Sequence, residues 1–293
     1  MRTATAAAVA LFAAACSSTS VRQVTVAGAG TTPATPAASE AAMAGAPTKP
    51  GELPAAILGT APPPRGESVA YFPGDPAAHG YFVAPKGGGP ASGVILIHEW
   101  NGLNDRVRQV ADALAAEGYA VLAADVFSGR TGSNPQENIA LVRQALGDSA
   151  KLIQNLDAAA RFLRARPGAT GRVATIGWCF GGGVALSYGV GGEHHEGTAM
   201  FYGRLLMDPQ VLARMHHPLY GSFAAQDQGI PPDSVRRFVD ALRQAGIDND
   251  VHVYDDVGHG FWLYVDQDPA KRTAPALDAW QRLKSYLART LRA

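Results

Sequence analysis

Three residues in the C-terminal half of the chain are of the types that transfer acyl groups. Cys179 lies in the sequence GWCFGG at residues 177–182, Asp227 follows an apolar run, and His259 lies between two glycines. A thiolate is a nucleophile, an imidazole can carry its proton, and a carboxylate can orient that imidazole. Nucleophile, acid and histidine occur in this order in one known arrangement of such triads. These residues predict an acyl-transfer enzyme.

The segment around Cys179 has the pattern of a strand, a tight turn and a helix. Residues 172–176 are rich in β-forming residues, and residues 184–188 continue as an apolar segment compatible with a helix. The glycines beside Cys179 allow the helix to lie close against the strand. The turn leaves the amide N–H of Phe180 at the helix start, where it can stabilise an oxyanion. A cysteine outside such a pattern is more often a small buried apolar side chain.

Asp227 and His259 lie where an acid and a general base are expected. His259 follows a strand-like run and lies in a loop, which suits a ring that must reach a thiol on another loop. Asp227 follows the strand-like residues 219–224, at the sheet edge where catalytic groups gather. We predict that it accepts the second ring N–H of His259, although an ordinary loop aspartate would cap the next helix. Asp255 and Asp256 rank second, because neighbours on one turn seldom point at the same ring.

Glu99 is a further candidate for the same sheet edge. It directly follows the apolar residues 94–97 and the single residue His98, so a carboxylate is predicted at the mouth of a buried strand. A buried carboxylate requires a partner. We found no partner for His98 in the sequence.

Four parts of the sequence resemble the dienelactone hydrolases, a branch of the α/β-hydrolase fold with a Cys, Asp, His triad. The resemblance runs from about Val69 to the C-terminus. The matching motifs are GWCFGG at 177–182, YG at 202–203, QD at 226–227 together with GHGF at 258–261, and IHEWNG at 97–102.

The resemblance implies a role for each matching residue. Cys179 is the nucleophile of the triad, with Asp227 and His259 as its acid and base. Glu99 contacts the thiol at rest and helps to convert it to thiolate when substrate binds. The backbone N–H groups of Trp100 and Phe180 form the oxyanion hole. Cysteine suits this scheme, because the thiolate is the reactive form and its amount depends on neighbouring charge.

The residues that contact the substrate follow the family pattern only in part. In the founding members, two arginines hold the substrate carboxylate. Arg130 is the counterpart of the first, one residue late, whereas Leu263 occupies the second position. Tyr202 and Trp262 are the further candidates for contact with the substrate. Aromatic residues in this region fit a larger or less charged group, and they also pack around pockets.

The elements that must position these residues alternate along the chain. After a hairpin-like start within 69–83, the predicted strands are 93–97, 119–124, 172–176, 198–202, 219–224 and 251–254. Helical patterns separate them, including one that starts at Asn104, a stretch from 135 to 164 and a last helix at 273–291. This alternation predicts an α/β fold with a mostly parallel sheet and helices on both faces. Together with the resemblance, it implies the α/β-hydrolase fold.

The N-terminal residues predict export. Met1 and Arg2 precede an alanine-rich apolar run that ends at Cys16, which resembles a secretory signal peptide over residues 1–16. The residues before Cys16 also resemble a bacterial lipobox, in which Cys16 is lipidated. Residues 17–66 are rich in Ala, Pro and Thr and predict a disordered linker, with the hydrolase domain at 67–293. The protein is therefore expected in the periplasm or lipid-anchored in the bacterial cell envelope.

Composition narrows the function. The chain has 293 residues, 47% of them hydrophobic, and a net charge of +0, which offers no basic field for nucleic acid. No cluster of metal ligands is apparent, so neither a metal nor a cofactor is predicted. We therefore predict a hydrolase for a small-molecule ester or lactone. The alternatives are a general carboxylesterase or thioesterase for a neutral substrate, and a non-catalytic binding protein of the envelope; the sequence does not predict the oligomeric state.

Overall fold

Eight strands form one sheet in the computed structural model, which describes residues 47–49 and 51–291. The strands are Glu67–Ala70 (β1), His79–Val83 (β2), Ala91–Ile97 (β3), Ala120–Ala124 (β4), Ala169–Trp178 (β5), Gly197–Phe201 (β6), Leu219–Ala224 (β7) and Asn249–Tyr254 (β8). Their order across the sheet is β1-β2-β4-β3-β5-β6-β7-β8. The pairs β1/β2 and β2/β4 are antiparallel, and the other neighbouring pairs are parallel. The prediction of a mostly parallel sheet after a hairpin is confirmed.

Helices connect the strands and cover both faces of the sheet. They are Asp105–Ala116 (α1), Pro135–Gly147 (α2), Ser149–Arg164 (α3), Phe180–Gly191 (α4), Pro209–Leu212 (α5), Pro232–Gln244 (α6) and Pro269–Thr290 (α7), with a short 3-10 helix at Val265–Gln267. Val94 and Leu96 of β3 lie in the core cluster that contains residues of α1 and α7. Ile95 and Ile97 lie in the cluster that contains residues of α3 and α4. Since successive side chains of a strand point to opposite faces, β3 is buried between two helical layers.

Polar side chains fix the points at which the helices begin. The Asn104 side chain accepts the N–H of Val107 at 3.2 Å, and α1 starts after it. The Asn134 side chain accepts the N–H of Glu137 at 3.0 Å, with Pro135 as the first residue of α2. These contacts satisfy amide groups that have no partner inside the helix. The loops after β3 and β4, which carry the predicted site residues, therefore end at defined positions.

The last part of the predicted linker is folded, contrary to the sequence prediction. Ile57 is 0% exposed and belongs to the core cluster beside α1 and α7. Its carbonyl accepts the N–H of Val265 at 3.1 Å, and the Arg106 guanidinium donates to the carbonyl of Ala56. The predicted domain boundary at residue 67 is therefore wrong. A short apolar run inside a segment rich in proline and alanine buries enough surface to dock on the domain.

The predicted signal peptide at 1–16, Cys16 and the first part of the linker lie outside the described residues. Within residues 47–49 and 51–291, no helix combines the length and the apolar character that crossing a membrane requires.

Candidate active site

Cys179 lies at the turn between β5 and α4 in a backbone conformation that is rare for residues other than glycine. Its φ is 54° and its ψ is −116°. Its amide N–H donates to the carbonyl of Phe201 at 3.0 Å, which ties the turn to the neighbouring strand β6. Residues held in such regions cost on the order of 1–3 kcal/mol and cluster at functional sites. The structure thus has the strand, turn and helix that the sequence predicts around Cys179.

Two glycines permit this tight turn. A Cβ on Gly177 would lie 2.1 Å from the carbonyl oxygen of Gly181, and a Cβ on Gly181 would lie 2.2 Å from the carbonyl oxygen of Ile97. Both distances are far below a van der Waals contact, and both opposing atoms belong to backbone. A side chain at either position would push α4 away from the sheet and displace the thiol.

Asp227 and His259 are brought together by the loops that follow β7 and β8. The His259 Nδ1 lies 2.6 Å from the Asp227 Oδ2. The Asp227 Oδ1 accepts the N–H groups of Gly229 at 2.8 Å and Ile230 at 3.2 Å. The Asp227 side chain is 4% exposed, whereas that of His259 is 41% exposed. Asp227 is therefore fixed by its own loop, and Nδ1 of His259 is occupied, which leaves Nε2 for another partner.

The charges of this pair support each other. Burial lowers the pKa of His259, but the hydrogen bonds to Asp227 and Cys179 and the charges of both residues outweigh it and raise that pKa to about 10. Burial raises the pKa of Asp227, but the hydrogen bond and charge of His259, with the two loop N–H groups, bring it below its ordinary value. At neutral pH the ring is therefore an imidazolium between a carboxylate and the sulfur.

Glu99 lies at the end of β3 and is 5% exposed. Burial raises the pKa of its carboxyl group, while the Tyr264 hydroxyl and the charge of His259 act in the opposite direction. The backbone carbonyl of Glu99 accepts the N–H of Gly102 at 3.2 Å. This hydrogen bond closes a turn in which Trp100 is the second residue. The structure therefore places Glu99 among the groups that surround His259, at the sheet edge that the sequence predicts.

Tyr202 also belongs to this group of side chains. Its ring centroid lies 4.9 Å from that of His259, and its φ is +38°. It is 1% exposed, and burial, followed by the charge of Glu99, raises the pKa of its hydroxyl well above the usual value. Tyr202 is thus a neutral phenol packed against the histidine.

Trp262 lies among the aromatic rings of the core. It is 0% exposed, and its ring stacks on that of Trp178 at 5.6 Å and lies 4.8 Å from that of Phe201. Its neighbour Leu263 is also 0% exposed. The loop after His259 thus turns back towards the core, and the Trp262 ring packs against other aromatic rings. Its contact with substrate stays a prediction.

Arg130 lies in the loop after β4 and is exposed. Its Nε donates to the carbonyl of Phe127 at 3.2 Å. Two residues further on, the N–H of Gly132 donates to the carbonyl of Asn101 at 3.1 Å, so this loop adjoins the loop that carries Glu99. Within the described residues, no hydrogen bond or ion pair joins Arg130 to Cys179 or His259, so its role with substrate stays a prediction.

Two side chains near the site, the half-buried Tyr264 and the buried His98, have contacts that the sequence did not indicate. Tyr264 faces Glu99, and the guanidinium carbon of Arg106 lies 5.4 Å from the centre of its ring. His98 hydrogen-bonds only to backbone groups, one of which is 28 residues away. The only signal available was that His98 directly precedes Glu99 at the end of an apolar strand.

Other parts of the described chain offer no second set of chemical groups of this kind. Within it, no three His, Cys, Asp or Glu side chains are arranged to hold a metal ion. A cavity of about 480 Å³ lies at the opposite edge of the sheet, beside the first residues of β7 and β8, and its lining includes His194, His217 and Arg289. The candidate site is therefore the cluster at the carboxyl edge.

Known proteins resemble this chain over most of the folded part. A protein of Methylorubrum extorquens named "Putative carboxymethylenebutenolidase" is 30% identical over 220 residues, which cover 70% of this chain and 75% of that protein. A protein of the same name from Salmonella typhi is 28% identical over 221 residues, covering 71% of this chain and 81% of that protein.

Solved structures share the fold. The crystal structure of a dienelactone hydrolase-like promiscuous phosphotriesterase from metagenomic libraries aligns with a TM-score of 0.69 at 25% identity, covering 77% of this chain and 98% of that chain. The family model described as the dienelactone hydrolase family matches residues 78–291. The predicted fold and the predicted hydrolase class are both confirmed. The chain therefore belongs to the dienelactone hydrolase family, and it is a hydrolase of the α/β-hydrolase fold.

Proposed function

We propose that this hydrolase cleaves a small-molecule ester or lactone through a covalent acyl-cysteine intermediate. Cys179 is the nucleophile, His259 moves the proton, Asp227 orients and charges the ring, and Glu99 tunes the thiol. One observation carries the proposal. The His259 ring is hydrogen-bonded to Asp227 through Nδ1, and Cys179, at the strained turn before α4, is near enough to help raise the pKa of that ring. This chemistry requires a nucleophile and a base that come within hydrogen-bond reach of each other.

Acylation begins with the thiolate sulfur of Cys179, which attacks the carbonyl carbon of the substrate. A C–S bond forms, and the π electrons of the carbonyl move onto its oxygen. When this oxyanion collapses, the bond from carbon to the leaving oxygen breaks. The leaving oxygen takes the Nε2 proton of the His259 imidazolium and departs as an alcohol, or stays attached to the acyl chain if the substrate is a lactone.

Deacylation uses the neutral ring that acylation leaves behind. A water molecule gives a proton to Nε2 of His259, and its oxygen attacks the thioester carbon. The C–S bond then breaks, which releases the carboxylic acid and restores the thiolate of Cys179 beside the imidazolium. Asp227 stabilises the imidazolium in both halves of the reaction.

The oxyanion needs two hydrogen-bond donors, and we assign them to the amides of Phe180 and Trp100. Phe180 is the first residue of α4, so its N–H has no partner inside the helix. Trp100 lies in the turn that directly follows Glu99 at the end of β3, beside the elbow. Fixed donors of this kind stabilise charge that develops only in the transition state.

Glu99 is assigned an electrostatic role. Burial raises the pKa of its carboxyl group and so favours the neutral form more than in an exposed carboxylate. In the neutral form it does not compete with the thiolate for the imidazolium, and when ionised it repels negative sulfur. A change in its charge on substrate binding would therefore change the reactivity of Cys179.

The substrate class depends on which cations face the acyl group. Arg130 is exposed in a loop that adjoins the Glu99 loop and is a candidate partner for a substrate carboxylate. The buried Leu263 supplies no second cation. This pattern leaves a neutral ester or thioester as the second candidate. Substitution of Arg130 distinguishes the two classes, because only a substrate that carries a carboxylate needs this cation.

The test compares turnover of paired aryl esters and lactones that differ only in one carboxylate on the acyl part. The parent, Cys179→Ala and Arg130→Gln are measured side by side. Loss of turnover in Cys179→Ala supports the nucleophile. If Arg130→Gln raises KM only for the substrate that carries the carboxylate, a carboxylate-bearing substrate is supported. If the parent and Arg130→Gln turn over both members of each substrate pair at equal rates, the neutral class is favoured. Unchanged turnover in Cys179→Ala contradicts the proposal. If the parent turns over none of the substrates, the non-catalytic binding protein is favoured instead.

We further propose, from residues 1–16 alone, that the protein is exported and is either free in the periplasm or anchored to a membrane by a lipid on Cys16. Cells that express the full chain are grown with a labelled fatty acid. Label that is present in the parent and absent in Cys16→Ser supports a lipid anchor. Label in neither chain, with a shortened chain in the periplasm, supports a soluble exported enzyme instead.

A further inference from the structure

His98 is a fully buried histidine that the proposed acid–base chemistry does not use. Its Nδ1 lies 2.7 Å from the carbonyl oxygen of Glu99, and its Nε2 lies 3.3 Å from the amide nitrogen of Val126. An amide N–H can only donate, so Nε2 is the acceptor of this pair. Nδ1 must then carry the proton and donate to the Glu99 carbonyl. The two backbone partners therefore fix one tautomer of the ring.

The Glu99 carbonyl belongs to the same peptide unit as the amide N–H of Trp100. A peptide unit is planar and nearly always trans, so its C=O and N–H point in opposite directions and cannot turn independently. A hydrogen bond that holds the oxygen therefore also sets the direction of the N–H. We propose that His98 is a positioning residue that aims the Trp100 amide at the oxyanion, an inference that rests on the function proposed above.

The ring of His98 also contacts the residue that supplies the second donor. Its centroid lies 6.3 Å from that of Phe180, with the planes 30° apart, and 4.6 Å from that of Phe127. Phe180 carries the other proposed oxyanion donor, and Phe127 lies in the loop after β4. One side chain thus links the loop after β3, the loop after β4 and the start of α4. Movement of the loop after β3 or of the start of α4 would change the distance between the two amides.

The surroundings keep the ring neutral. Burial lowers the pKa of His98, and the opposing effects of the Glu99 carbonyl and the Asp125 charge do not reverse this direction. A neutral ring has one donor and one acceptor, which is what its two backbone partners require. Both nitrogens are occupied, so the ring does not transfer the proton of the reaction.

The test separates the oxyanion hole from the reactivity of the thiol. Acylation of Cys179 by p-nitrophenyl acetate passes through an oxyanion and releases p-nitrophenolate. Alkylation by iodoacetamide does not, because the thiolate displaces iodide at a saturated carbon and forms a thioether. Both rates are measured on the full chain carrying Cys16→Ser, so that Cys179 is its only thiol. The variant His98→Phe keeps the ring packing and removes both nitrogens.

We expect His98→Phe to lower the acylation rate by about 100-fold, the loss typical for one oxyanion donor, and to leave alkylation unchanged. His98→Asn, whose amide reaches the position of Nδ1, should recover most of the loss. His98→Gln, whose amide reaches the position of Nε2, should recover little. The comparison of Asn with Gln stands even if His98→Phe does not fold.

Three results would overturn this inference and leave the proposed function intact. The first is normal acylation in His98→Phe, and the second is equal or better acylation in His98→Gln than in His98→Asn. A parallel fall in acylation and alkylation would also overturn it, since a general disturbance of the thiol would explain both. A parent that is alkylated but never acylated at Cys179 would instead contradict the proposed function, and this inference with it.

Discussion

Asp227 serves two separate purposes with its two carboxylate oxygens. Oδ1 holds the loop through the N–H groups of Gly229 and Ile230, and Oδ2 holds the ring of His259 at 2.6 Å. The loop contacts orient the carboxylate without help from the histidine. Neutralising the side chain should therefore change the charge at His259 more than it changes the fold of the loop.

The pH dependence of kcat/KM should report this charge. The leaving oxygen needs the proton of His259, so the rate should fall as pH rises through the ring pKa of about 10. The Asp227 carboxylate raises the pKa of His259, and Asp227→Asn removes this effect. The alkaline limb of the pH profile, in which kcat/KM falls, therefore moves to lower pH. The rate at its maximum should fall by a factor on the order of 100 to 10,000, because the amide favours the wrong ring tautomer.

Asp255→Asn is the matched control for this prediction. Asp255 is exposed, only four residues from His259, and was the second-ranked acid in the sequence. Asp255→Asn should change neither the maximal rate nor the pH at which the alkaline limb lies. A limb that shifts in Asp255→Asn, or stays in place in Asp227→Asn, would contradict the assignment of the acid.

The sequence predicted the site residues that interact with other side chains, and it missed the role of a residue that interacts with backbone groups. Cys179, Asp227 and His259 have types and loop positions that indicate one site, and the structure places them together. His98 bonds to two backbone groups that no residue type identifies. The packing of Trp262 among core aromatic rings was also not predicted, because a loop aromatic residue can face a pocket or the core and residue type does not distinguish the two.

The elbow between β5 and α4 positions the nucleophile through close backbone contact. The first turn of α4 approaches β3 and β5 closely. A Cβ on Gly181 would lie only 2.2 Å from the backbone carbonyl oxygen of Ile97. The end of the same helix is far less crowded. A Cβ on Gly191 would meet only the end of the Ile153 side chain, at 3.8 Å.

Alanine substitution at the two ends of α4 should therefore have opposite effects. Gly181→Ala should lower the free energy of unfolding by about 1–3 kcal/mol, the usual cost of overpacking, and reduce turnover by moving Cys179. Gly191→Ala should be neutral or raise it by up to about 1 kcal/mol, because alanine is the better helix former. Denaturant unfolding of both variants measures this. Equal effects would show that close contact at the elbow does not control the turn.

Element types were predicted well, and some boundaries were not. The predicted last helix began at Thr273, one turn before its apolar stripe starts at Leu277, but α7 begins at Pro269. The Asp268 side chain accepts the N–H of Lys271 at 3.4 Å, and Pro269 occupies the first helical position. Caps and prolines set helix starts, whereas the apolar stripe shows only which turns face the core.

The whole folded unit is larger than the sequence predicts. Residues around Ile57 lie against α1 and the 3-10 helix near Val265, and they occupy part of the predicted linker. Low apolar content suggested a tether, because the average over residues 17–66 hides one short apolar run. Long-range docking of this kind depends on the shape of a surface that no local pattern describes.

Truncating the Ile57 side chain should therefore destabilise the whole domain. Ile57→Ala should lower the free energy of unfolding by about 2–5 kcal/mol, as for other buried isoleucines, while the exposed Thr60→Ala changes it by less than about 0.5 kcal/mol. Thermal and denaturant unfolding measure both. If Ile57→Ala unfolds like the parent, the segment does not contribute to the core. The same reasoning implies that a fragment starting at residue 66 would be less stable than the full chain.

The acyl-cysteine intermediate should be visible as a mass increase on the peptide that contains Cys179, if the reaction is quenched rapidly. The full chain is mixed briefly with a panel of aryl esters and lactones beside Cys179→Ala. We expect an acyl group on the peptide that contains Cys179, formed and lost at rates consistent with turnover, and no such adduct in Cys179→Ala. Turnover without an adduct at Cys179, or an adduct that never hydrolyses, would contradict it.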